Sequence, residues 1–145
     1  MVLYCYRQSI MNWSYIAGFF DGEGSLWFAR ASTGGGIHAQ ITIGQSSELV
    51  LQKMAAFLVG HGILAKVSQR KKQEGNLQKK EFFVLYVTNL INVRKFLEGV
   101  MPYLVVKKVG AQDVLRYMRL YPAFTPQQRG RYAREESKRR KTAVI

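Results

Sequence analysis

The sequence predicts an α+β domain of element order αββαββαα, with one four-stranded antiparallel sheet and helices on one of its faces. Three observations carry this reading. Aromatic and β-branched residues form two pairs of short runs, each pair joined by a glycine-bearing turn. Amphipathic stretches of helical spacing follow both pairs, and a short apolar helix precedes them, running straight into Asp21-Gly22-Glu23-Gly24.

The first helix covers the region around residues 16–24, with Asn12 or Ser14 as its N-cap and with Gly22 and Gly24 expected to free the backbone for a strand starting at Ser25. Ala17, Gly18 and Gly22 leave one side nearly bare, so a second helix could approach closely, while Ile16, Phe19 and Phe20 cover the rest. Residues 25–31 and 37–44 read as a hairpin across Gly34-Gly35-Gly36. Ser46 or Ser47 caps an amphipathic helix carrying Leu49, Val50, Met54, Phe57 and Leu58, which stops at Gly60 or Gly62. Residues 63–72 and 79–88 form a second hairpin across Glu74-Gly75-Asn76. Asn89 or Asn92 starts a helix through Leu97. Gly99 breaks it, Pro102 begins another, and Val106, Val109, Val114, Leu115 and Met118 carry that one toward Leu120. Pro122 and Pro126 mark the end of the domain, so residues 1–120 form the folded unit and 121–145 a basic tail.

Twenty-two Lys and Arg against nine Asp and Glu give a net charge of +13 over 145 residues, which points to a polyanionic partner. The tail, read either as a solvated extension or as a segment that orders on nucleic acid, holds part of this charge. The single cysteine, Cys5, excludes an internal disulfide framework and a cysteine-rich zinc site. No apolar run has membrane-spanning length and no signal-peptide core is found at the N-terminus, so no membrane partner and a soluble, intracellular protein are expected.

The end of the first helix is the unusual feature. Helix C-termini carry partial negative charge, so Asp21 and Glu23 there are unfavourable by several tenths of a kcal/mol each, roughly. A divalent cation would reverse the sign, taking the carboxylates as hard oxygen ligands, and between two packed copies of the helix it would relieve repulsion between the glutamates. The competing reading is an ordinary buried helix followed by an Asp-Gly turn.

The string Tyr15 to Ser25, YIAGFFDGEGS, resembles the signature of the LAGLIDADG homing endonucleases, Ile16 to Gly24 matching its nine motif positions in order. The resemblance implies that the motif helix forms an interface between two equivalent halves. It also implies that Glu23 binds the catalytic metal together with a backbone carbonyl near Gly22, and that Asp21 has a mainly structural role. Gln45 matches a polar position near the nucleophilic water. Met101 to Lys108, MPYLVVKK, resembles the stretch that ends in an active-site base, making Lys107 the candidate and Lys108 its competitor. The implied activity is metal-dependent hydrolysis of both strands of a long double-stranded DNA target across the minor groove, leaving short 3′ overhangs. Mg2+ is the usual metal, with Mn2+ or Ca2+ able to occupy the sites, and the gene would be intron-encoded.

The motif occurs once, so its partner must lie in a second molecule: a homodimer is expected, with Ala17, Gly18, Asp21 and Gly22 at the helix interface. The two sheets would form a saddle on DNA, one face of each in the major groove. Period two then nominates Ser25, Trp27, His38, Gln40 and Thr42 as DNA-facing, with Leu26, Phe28, Ile41 and Ile43 toward the core. Trp27 also suits a packing role. Arg30 breaks the parity, which requires a bulge, a strand end or a shifted register. In the second hairpin Lys66, Ser68, Arg70 and Lys72 share a face opposite Ala65 and Val67, and Lys71, Lys79 and Lys80 crowd the turn, making a basic ribbon rather than an edge merely protected by lysines. Two other functions fit the same scaffold, an RNA maturase assisting intron splicing and a non-catalytic DNA-binding regulator.

Overall fold

The computed structural model describes residues 11–30, 37–70 and 81–120, with isolated positions between 125 and 139. In chain order the elements are α1 (Trp13–Glu23), β1 (Gly24–Arg30), β2 (Ile37–Gln45), α2 (Glu48–Gly60), β3 (Lys66–Gln69), β4 (Phe83–Thr88), α3 (Leu90–Val100), a 3₁₀ turn (Met101–Tyr103) and α4 (Lys108–Leu120). The order is the expected αββαββαα. The sheet runs β1-β2-β4-β3 with every neighbouring pair antiparallel, so the two hairpins meet along β2 and β4.

One face of the sheet is sealed. Phe28, Ile41, Ile43, Leu85 and Val87 are buried beneath the helices, and each large apolar side chain so removed from water contributes about 1.5–3 kcal/mol. Helix α2 presents Leu51, Met54, Ala55 and Leu58 to this core, the i, i+3, i+4, i+7 stripe of an amphipathic helix, while Leu49 faces solvent instead of joining it. Helix α4 buries Ala111, Val114 and Tyr117, the last with its ring 4.8 Å from that of Phe28. Leu115 and Met118 pack partly against the core as expected, but Val106 and Val109 are exposed because the helix starts only at Lys108 and turns a different stripe inward.

The helix starts fall on one of each pair of caps the sequence offered, while several other boundaries differ from the sequence reading. Asn12 caps α1 by accepting the Tyr15 N–H at 2.8 Å. Asn89 caps α3 in the same way, accepting from the Ile91 N–H at 3.0 Å. Ser47 stands at the N-cap of α2 without a side-chain capping bond. Gly99 does not break α3, which runs on to Val100. The glycine is required there for space, since a Cβ would lie 2.5 Å from the indole of Trp13. That indole meets Phe57 of α2 and Phe96 of α3 edge-on, so Trp13 anchors α1 to both helices. Pro102 sits in the 3₁₀ turn rather than starting α4. Residues 63–65 precede β3 rather than belonging to it, and β4 begins at Phe83. The two expected turns, 34–36 and 74–76, and most of the tail lie outside the described residues.

Candidate functional site

The end of α1 meets a segment more than eighty residues away. Asp21 accepts the backbone N–H of Val105 at 2.8 Å and that of Lys107 at 2.9 Å, and the Lys107 ammonium donates back to the Asp21 carbonyl at 2.6 Å. The last carbonyls of a helix have no partner within it, and here a cation takes one of them. Burial pushes the Asp21 carboxyl up, but the N–H groups of Val105, Lys107 and Val106 and the nearby Lys107 charge outweigh it, holding Asp21 below its ordinary 3.8. Burial lowers Lys107 below its ordinary 10.5, against the opposing pull of the Asp21 and Glu23 carboxylates. The Lys107 ammonium also lies 5.5 Å from the centroid of the Phe20 ring.

This geometry separates the two candidate lysines. Lys107 is half-buried and turned onto the end of α1, whereas Lys108 is exposed at the start of α4. It also gives Asp21 its own partners. Asp21, expected at a helix interface with a mainly structural role, ties its carboxylate to the 105–107 loop of the same chain. Ala17, expected there too, is sealed in its own core because its side chain points inward with Ile16 and Phe20. Gly18 and Gly22 do face open space: a Cβ on either would meet nothing within 4 Å. Gly24 has an extended backbone at φ −86° and needs no glycine-specific conformation. It is excluded from carrying a side chain because a Cβ would collide with the ring and carbonyl of Phe20.

Glu23 is the exposed last residue of α1. Gly24 pairs with Ile43, so the end of β2, where Gln45 stands two residues later, lies beside the α1–β1 junction. The Gln45 Oε1 accepts from the Ser46 N–H at 2.8 Å and from its hydroxyl at 3.1 Å, leaving the amide NH2 as the donor available to a ligand. Among the described residues no three His, Cys, Asp or Glu side chains converge. At this junction the exposed carboxylate is that of Glu23, a hard oxygen donor of the type Mg2+ takes together with phosphate oxygens and water.

The open face of the sheet starts at this junction. Ser25 pairs with Thr42, Thr42 with Tyr86, and Tyr86 with Lys66. A second row runs Trp27, Gln40, Thr88. Ser25, Trp27 and His38 are exposed and Gln40 and Thr42 half-buried, all on the face away from Phe28, Ile41 and Ile43 as the alternation requires. Tyr86 and Thr88 belong to the same face and were not singled out, although the period-two run of 83–88 carries the signal. Arg30 is the last residue of β1, paired with Ile37 without a bulge, so its odd parity reflects a strand end. Lys66 and Ser68 lie exposed on the edge strand β3. Arg70, just beyond it, is exposed and extends the ladder through its N–H to the Phe82 carbonyl at 2.8 Å. Lys72 and Lys80 lie outside the described residues.

A family profile described as LAGLIDADG-like domain matches residues 12–101. No match is found among curated protein sequences. Among solved structures the chain is similar to an archaeal intron-encoded homing endonuclease, I-Vdi141I, complexed with DNA, at a TM-score of 0.65 and 20% identity over 87% of this chain and 82% of that one. It is similar to the homing endonuclease I-CvuI in complex with its target in the presence of calcium, at 0.60 and 22% over 76% and 67%. A third, the LAGLIDADG homing endonuclease I-GzeII with its DNA target, gives 0.60 and 13% over 88% of this chain but 42% of that one. At these identities the likeness is one of fold.

Proposed function

The chain belongs to the LAGLIDADG family, and from that premise we propose that it is a homodimeric, metal-dependent endonuclease cutting both strands of a long double-stranded DNA site. One observation carries the reading: the Lys107 ammonium is held 2.6 Å from the Asp21 carbonyl, two residues from the bare Glu23 carboxylate and at the margin of an open sheet face. A DNA-binding regulator has no use for an unpaired carboxylate where phosphate would lie, so Glu23 favours cleavage over binding alone.

Pairing supports the dimer. The α1 face bearing Gly18 and Gly22 is open, and the loop tied to its end by Asp21 exposes Val105 and Val106. The chain spans about two-fifths of I-GzeII, leaving room there for a second half that this chain would obtain from another copy. Two α1 helices packed on these glycines would bring two Glu23 carboxylates together.

Those carboxylates, with the Gly22 carbonyls, would hold Mg2+, for which Mn2+ or Ca2+ can substitute. When bound, the metal supplies Lewis-acid polarisation of the scissile phosphate and a lowered pKa for the attacking water. Lys107 stabilises negative charge developing on that phosphate, its direction fixed by Asp21 through the loop backbone. Gln45 donates its amide N–H to order the attacking water, and no side-chain nucleophile is needed. The open sheet faces lie in the major groove on either side, and cleavage across the intervening minor groove leaves short 3′ overhangs.

The test is Glu23→Gln in the full chain, with a target isolated from a DNA library. The variant keeps the side-chain shape and should fold, dimerise and bind that target while losing magnesium-dependent cleavage by several orders of magnitude. Cleavage at the wild-type rate would remove Glu23 from the metal site and the reading with it.

A further inference from the structure

The middle of the open sheet face is neutral. Among the described side chains that β1, β2 and β4 turn to that face there is no Lys, Arg, Asp or Glu, and the cations Lys66 and Arg70 stand at the β3 edge. Arginine and lysine are the readers of guanine in the major groove, and carboxylates accept from cytosine. Neither chemistry is available at the centre of this surface, although the chain as a whole carries +13. Among the described residues, the cations and the neutral centre of this face thus belong to different strands.

What the centre does offer is an amide beside an indole. Gln40 pairs directly with Trp27 on one side and Thr88 on the other, and directly opposed side chains on one face have Cβ atoms about 4.5–5.5 Å apart. Trp27 is 52% exposed, so its ring stands on the surface rather than in the core. Gln40 is half-buried between these neighbours, which narrows its rotamers. An amide donates through NH2 and accepts through its carbonyl. That pair complements the N7 acceptor and N6 donor of adenine, whereas guanine presents two acceptors and would oppose the amide oxygen. The indole and the threonine methyl beside it are apolar surfaces of the kind that cover a thymine C5-methyl.

Resting on the endonuclease reading above, we propose that Gln40 is a specificity-determining residue that reads the adenine of an A·T pair in each half of the target. Trp27 packs on the methyl of that pair or of the adjoining thymine. Among the described residues Gln40 supplies the one side-chain amide on this face of β1, β2 and β4, and guanine is rejected at the position it reads.

The experiment is a positional selection from a randomised duplex library, performed with wild-type protein, Gln40→Ala and Gln40→Arg, binding being read in calcium and cleavage in magnesium. Wild type should show one position per half-site where adenine exceeds guanine by about 5- to 150-fold, the discrimination expected of a bidentate pair. Gln40→Ala should flatten that position alone, and Gln40→Arg should turn it to guanine while every other position keeps its preference, which also reports that the variant is folded. Trp27→Ala should weaken the thymine preference at the same or adjoining pair. Unchanged preferences in Gln40→Ala, or a wild-type guanine at the position the variants alter, would overturn the assignment and leave the endonuclease reading standing. A wild-type protein that enriches no site would overturn both.

Discussion

Replacing Asp21 with asparagine tests the junction between α1 and the lysine-bearing loop. The carboxylate accepts two backbone N–H groups at 2.8 and 2.9 Å, and a hydrogen bond to a charged acceptor contributes about 1.5–3 kcal/mol where solvent is excluded. The Val105 bond is exposed and belongs at or below the low end, while the Lys107 bond is partly buried. Asparagine keeps one carbonyl oxygen, so one bond survives as a neutral one of about 1 kcal/mol, and its NH2 is turned toward the other N–H. The net loss is about 2 kcal/mol, which for a domain of this size lowers Tm by about 6–10 °C. The pH dependence has a definite sign. Asp21 is held below 3.8 in the folded chain, so its contribution is fully present above that value and disappears as pH falls through the lowered one. Thermal melts by circular dichroism, with a chelator present, should show the full gap between wild type and Asp21→Asn at pH 7 and a closing gap below pH 3.8. Equal Tm values at pH 7, or a gap unchanged at pH 2.5, would refute the reasoning.

The other expected outcomes concern space, charge and pairing. Gly24→Ala puts a methyl against the Phe20 ring and carbonyl, and urea titration should show a loss of about 3 kcal/mol from overpacking, with the m-value unchanged. Lys107→Met should bind the target yet cut it poorly, less severely impaired than Glu23→Gln, whereas Lys108→Met should cut normally; plasmid nicking and linearisation with and without magnesium measure both. Gly18→Leu puts a bulky side chain on the open side of α1, where a Cβ meets nothing within 4 Å, so sedimentation should show the folded protein shifted to monomer with cleavage of both strands lost.

Much of this was legible in local pattern, because alternation and capping are local. Phe28, Ile41 and Ile43 against Trp27, Gln40 and Thr42 follow from period two alone, and Asn12 and Asn89 announce their helices. Gly99 reads as a break because a glycine inside a helical run signals one until its packing partner is known, and Trp13 is 86 residues away in sequence. The stripe of α4 departs from its sequence pattern for a related reason: Val106 and Val109 have the right spacing, but the segment holding Val106 is fixed outside the helix by Asp21. Ala17 and Gly18 are equally small, and only the fold reveals that one faces inward and the other outward. The helix end was recognised as electrostatically unfavourable and in need of a cation. That Lys107 supplies one from within the chain required the tertiary contact.

The bond between Asp21 and the loop spans 84 to 86 residues, which gives the protein a built-in order of assembly. Helix α1 and the first hairpin can be synthesised, and their local contacts can form, long before residue 107 leaves the ribosome. A chain arrested or proteolysed ahead of that point would carry Glu23 and the four strands of the sheet but no lysine at the helix end. In the proposed endonuclease the lysine at the helix end is thus added only after all four strands of the sheet have been synthesised.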